Sequence, residues 1–145
     1  MATDTVQSYY TSYYEGLGST SAYAVAGKIF QTGSAAIADG ITEQIDFPSV
    51  TRRIVVRNVA ADAYLRVHFR EKSAGNVIGG HHYTTVLPLS TTVVNQPSTL
   101  DLHVKCRRVF ISNDSGEAGA YELFAELTDL RTDEMFELTG SGVTD

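Results

Sequence analysis

Leu65-Arg66-Val67-His68-Phe69-Arg70 alternates apolar and polar side chains without a break. Successive side chains of an extended chain point to opposite faces, so Leu65, Val67 and Phe69 share one face while Arg66, His68 and Arg70 share the other. This is the signature of a half-buried strand. The same period separates Leu100, Leu102, Val104 and Cys106 from Asp101, His103, Lys105 and Arg107. It also separates Tyr121, Leu123, Ala125 and Leu127 from Glu122, Phe124, Glu126 and Thr128. Strands with one apolar face each need a second sheet to cover them.

The segments between these strands are less regular. QIDFPSVTRRIVVRNV, residues 44–59, carries a β-branched run through Ile54, Val55 and Val56, with Pro48 confining the piece before it to an edge or a strand start. HHYTTVLPLSTTVV, residues 81–94, is a similar run broken at Pro88. The breaks NVAADA, EKSAGNVIGG, NQPS and NDSGEAG are turn chemistry. Short strands at roughly ten-residue spacing, with no helix-length periodic segment between them, predict an all-β antiparallel two-sheet sandwich of jelly-roll-like form. Its expected core is Leu65, Val67, Phe69, Leu102, Val104, Leu123 and Leu127.

A chain of 145 residues with 43% hydrophobic content is the size of one domain and buries a real core. The single cysteine, Cys106, excludes an intramolecular disulfide framework. The net charge of -6 argues against direct nucleic-acid binding. Its distribution divides the chain. Residues 1–44 set Asp4, Glu15, Asp39 and Glu43 against Lys28, and residues 131–145 set Asp133, Glu134, Glu137 and Asp145 against Arg131, while residues 45–130 balance nine acids with nine bases. The composition therefore predicts an N-terminal Tyr/Gly/Ser-rich arm over 1–44, a sandwich body over 45–130 and an acidic C-terminal tail over 131–145.

The arm contains SYYTSYYEGLGSTSAYAVAG, residues 8–27. Its hydroxyls and glycines do not suit a membrane span, and the segment has neither the basic start nor the apolar run of a secretory signal. The chain reads as a soluble protein made in a cytoplasm, without membrane contact. Five of the eight tyrosines, Tyr9, Tyr10, Tyr13, Tyr14 and Tyr23, lie in this segment. Tyrosine supplies large contact area and a hydroxyl while freezing few torsions, which suits a protein interface. We expect these five to anchor an extended arm on neighbouring subunits. The paired bases Arg52–Arg53 and Arg107–Arg108 read as charged sheet surface that meets the acidic ends of this or a neighbouring chain.

Sequence chemistry for catalysis is sparse. His68 and His103 fall on polar strand faces where they could meet around a metal. The adjacent His81 and His82 point to opposite faces in a strand, and Arg66, Arg70, Lys105 and Arg107 on the polar faces disfavour a divalent cation. The arrangement is similar in idea to the cupins, but lacks their two histidines one residue apart followed by a glutamate. Cys106 lies in an apolar alternation, where a thiol is an inert small hydrophobe. GLGSTSAYAVAG follows no predicted strand and lacks a Gly-Lys-Ser/Thr ending, so it is no phosphate loop. We expect no catalytic residue, metal or cofactor.

VTRRIVVRNVAADAYLRVHF, GGHHYTTVLPL and LDLHVKCRRVFISNDSGEAGAYELFAELTDL, within a resemblance that covers residues 45–130, are similar in their strand-and-turn layout to small virion proteins of tailed bacteriophages, above all capsid decoration or cement proteins. The resemblance implies a non-enzymatic structural protein of the virion, with the major capsid protein or other virion proteins and copies of itself as partners. A tail or neck component is the nearest alternative. A carbohydrate-binding sandwich follows, against which stand the absence of Trp and only three tyrosines in the body. A cupin-like metalloprotein comes last.

Overall fold

The computed structural model describes residues 28–73, 77–90 and 97–138. They form eight strands: β1 (Lys28–Ile37), β2 (Thr42–Asp46), β3 (Thr51–Asn58), β4 (Leu65–His68), β5 (Thr84–Val86), β6 (Thr99–Leu102), β7 (Arg108–Ser112) and β8 (Gly119–Leu127), with a short 3-10 turn at Thr132–Glu134. Two antiparallel four-stranded sheets result, ordered β1-β8-β3-β6 and β2-β7-β4-β5. No helix among the described residues is long and apolar enough to cross a membrane.

The pairing has a simple logic. β1 pairs with β8, β2 with β7, β3 with β6 and β4 with β5, so the two halves of the chain run against each other as one long hairpin. That hairpin is folded over, and the additional pairings β3–β8 and β4–β7 close the two sheets. Every connection except β4–β5 carries the chain from one sheet to the other.

The core lies between the sheets. Ile37, Ile54, Val56, Leu123, Ala125 and Leu127 from the first sheet meet Ile45, Leu65, Val67, Val86, Val109 and Ile111 from the second, all nearly inaccessible to water. Of the expected core, Leu65, Val67, Leu123 and Leu127 are fully buried, Phe69 and Val104 pack against the cluster half-buried, and Leu102 is half-buried. Pro48 follows β2, which is an edge strand.

Buried polar side chains hold the crossings, where the backbone leaves the ladder and its polar groups need other partners. Thr51 Oγ1 donates to Val104 O at 2.8 Å and accepts from Cys106 N–H at 3.1 Å. Asn58 Nδ2 donates to Ala63 O and Val86 O, and its Oδ1 accepts from Ala60 N–H. Asn113 Nδ2 donates to Ile37 O and Glu117 O.

Three expectations need correction. The first sheet begins inside the expected arm: β1 and β2 occupy residues 28–46, and Phe30 packs edge-on to Phe47 at 5.4 Å. The alternation over 100–107 is not one strand, because the ladder ends at Leu102 and residues 103–107 carry the chain across to β7 in the other sheet. The start of the expected tail is folded onto the body, with Leu130 and Met135 burying Val50 and with Phe136 and Leu138 packed beside them. The anchors Tyr9, Tyr10, Tyr13, Tyr14 and Tyr23 lie outside the described residues.

Candidate functional site

Four strands are sheet edges: β1 and β6 in the first sheet, β2 and β5 in the second. An edge strand exposes unpaired backbone N–H and C=O groups, and folded proteins guard such edges with short strands or with charge. β5 has three residues and β6 has four, one of them Asp101. β2 has five, including Glu43 and Asp46. β1 has ten, KIFQTGSAAI, with Lys28 its single charge, and all but Phe30, Ser34 and Ile37 are exposed. Ile29 is 67% exposed. β1 is thus the one long edge among the described strands, and its nine residues after Lys28 carry no charge.

The outer face of the first sheet, behind β1, is a lattice of charge. Arg53 holds Asp101 through two contacts at 2.6 and 2.9 Å and reaches Glu126 at 3.5 Å, while Arg57 stands 3.8 Å from Glu122. Asp101 holds the Arg53 guanidinium well above its ordinary pKa, and the same pair lowers the Asp101 carboxyl below the usual range. Arg52 sits where the β3–β8 register shifts between Thr51 and Arg53, a bulge.

The second basic pair lies with the other sheet. Arg107 and Arg108 both reach the Glu137 carboxylate, and Arg108 also pairs with Asp46 at 3.1 Å. The structure therefore joins Arg107 and Arg108 through the C-terminal segment of the same chain and leaves Arg53 on a different sheet.

The outer face of the second sheet carries a buried polar chain. The carbonyl of Arg70 can only accept, so the His68 Nδ1–H donates to it at 2.6 Å. Nε2 of the neutral ring then accepts from Ser112 Oγ–H at 2.5 Å, and Ser112 Oγ accepts from Thr42 at 2.9 Å. Phe110 stacks on the His68 ring, parallel within 3°. Burial holds the His68 pKa below its ordinary value against the hydrogen bond to the Arg70 carbonyl, with Lys72 and Arg66 adding to the lowering and Asp114 opposing it. Arg66 itself lies over the Tyr83 ring at 4.6 Å and contacts Asp114 at 3.3 Å. The segment after β4 returns over this face, so that Glu71, Lys72, Ser73 and Ile78 line a groove of about 620 Å³ with Thr42, Gln44 and Phe110.

The expected meeting of His68 and His103 does not occur: His68 is buried on β4, while the side chain of His103, 75% exposed, follows β6 in the other sheet. His81, with φ of 59°, and His82 belong to the turns before β5. Among the described residues no three His, Cys, Asp or Glu side chains converge as a metal site would require. Cys106 is buried against Thr51, and burial pushes its thiol up to about 12.

The sequence reading missed β1 as an edge and the His68–Ser112–Thr42 chain. The near absence of charge over residues 29–37 was the available signal for the first; the second joins residues far apart in the chain and has no local pattern. Comparison with protein-family models, with curated protein sequences and with solved structures returns no match.

Proposed function

We propose that this chain is a non-enzymatic structural protein of a virus particle, a capsid decoration or cement protein of a tailed bacteriophage that stabilises the shell through contacts with the major capsid protein and with copies of itself. The observation that carries the reading is the β1 edge, long and uncharged beyond Lys28, where the other three edges are short or carry acidic side chains. Strand addition at such an edge gives a protein–protein contact built from main-chain hydrogen bonds. The strand order supports the jelly-roll reading: eight strands in two sheets, each half of the chain wrapped against the other, an architecture shared by viral capsid proteins, lectins and cupins.

The same observations weigh the other members of that group. A cupin needs converging ligands, and His68 is engaged with Ser112 and Arg70. A carbohydrate-binding module has the groove over the second sheet in its favour, since its size suits a small ligand. Phe110, its aromatic residue, is only 4% exposed and offers little ring face for a sugar.

Particles purified from the virus that encodes the chain test the proposal. We expect the chain in those particles at a fixed copy number, and shells lacking it to rupture at lower temperature. Its absence from purified particles would overturn the assignment. A tail or neck component would instead be found at a copy number far below that of the shell subunits.

A further inference from the structure

We propose that β1 is a homotypic docking edge, pairing antiparallel with β1 of a second copy about a two-fold axis at Gln31 and joining two β1-β8-β3-β6 sheets into one of eight strands. The inference rests on the assembly reading above and names a partner for its edge.

Length and register set the axis. Pairing of β1 with β8 runs without interruption from Lys28 to Ser34 and then shifts before Ile37. A bulge disrupts the ladder and bends the strand, so the seven residues before it are the part that can continue a flat sheet. Their midpoint is Gln31. An isologous contact is symmetric, so Gln31 faces itself, Phe30 faces Thr32, Ile29 faces Gly33 and Lys28 faces Ser34.

Side-chain chemistry fits that register. Ile29, Gln31 and Gly33 alternate with Phe30, which packs inward on Phe47, so they share the outward face. Ile29, 67% exposed, would lie across Gly33 of the second copy, where no side chain competes for the space. Two facing Gln31 amides are self-complementary, each carrying a donor and an acceptor. Lys28, the single charge, faces a serine, so no like charges oppose each other as they would in a self-paired β2 centred on Glu43 or Asp46.

The test uses the full chain. Light scattering after size exclusion should give twice the 15.7 kDa chain mass, and Gln31→Lys, which sets two ammonium groups opposite each other, should return the single-chain mass while keeping the far-ultraviolet circular dichroism of the folded β-sandwich. Under mild oxidation Gln31→Cys should give a disulfide-linked dimer, while Thr99→Cys on the β6 edge, and the wild type with its buried Cys106, should not. A wild-type chain that is monomeric across concentrations, or a Gln31→Cys variant that cross-links no more than Thr99→Cys, would overturn the inference. Dimers unaffected by Gln31→Lys would overturn it as well. A chain that joins particles yet fails these tests sinks the β1 pairing alone, whereas a β1-paired dimer absent from particles sinks the virion assignment alone.

Discussion

Gly33 of β1 passes so close to Tyr121 of β8 that a Cβ built on it would stand 2.6 Å from the Tyr121 carbonyl oxygen. Backbone, unlike the end of a flexible side chain, cannot step aside, so any larger residue must push the edge strand away from its partner. Tyr121 also links the sheets, its hydroxyl donating to Glu43 Oε2 on β2 at 2.5 Å. Gly33→Ala should therefore destabilise the fold by about 1–3 kcal/mol, the usual cost of overpacking, measured by chemical denaturation. A variant as stable as wild type would show that β1 is not held in this register.

The inter-sheet core yields a graded expectation. Leu65 and Leu123 are at most 2% exposed, whereas Leu102 is half-buried near the end of a short edge strand. Leu65→Ala and Leu123→Ala should each cost about 2–5 kcal/mol through lost burial and a residual cavity, and Leu102→Ala clearly less. Equal losses at all three positions, read from denaturant midpoints, would contradict the assigned packing.

How far the sequence revealed this arrangement depends on the range of the interactions involved. Period-two alternation identified β4 and β8, because each has one face on the core and one towards solvent or charge. It overran β6, since Val104 and Cys106 keep the apolar rhythm while Thr51, more than fifty residues away in the chain, bends that segment across to the other sheet. It misjudged His68 for a related reason: the alternation places it on the outer face correctly, but the Arg70 carbonyl, Ser112 and the Phe110 ring surround it there. β1 lacks alternation, and its partner β8 lies at the other end of the chain. Charge marked residues 131–145 as an acidic tail and drew attention away from Met135, Phe136 and Leu138.

His68 makes stability depend on pH with a definite sign. Its folded-state pKa lies below the ordinary imidazole value, so between the two values the unfolded chain binds a proton that the folded chain does not. Stability should fall as pH drops through roughly 6.5 and level off below the folded pKa. Thermal melts at pH 7.5 and 5 check this, and His68→Gln should flatten the dependence in that window. A wild-type melt that rises on acidification would reverse the assigned direction.

The C-terminal segment is attached in two ways of very different worth. Glu137 meets Arg107 and Arg108, but its side chain is 37% exposed and those of the arginines are 30% and 32% exposed, and ion pairs so open to water contribute about 1 kcal/mol or less. Met135 is 4% exposed and seals Val50 and Leu130 beneath it. Burial of that side chain removes apolar area from water whatever the ionic strength. Met135→Ala should thus destabilise the protein by about 2 kcal/mol or more, Glu137→Gln by less than half as much, and added salt should erase the second effect while leaving the first. Denaturant titrations of the two variants at low and high salt measure both. If Glu137→Gln proved the costlier change and high salt released the segment, charge rather than burial would hold it to the sandwich.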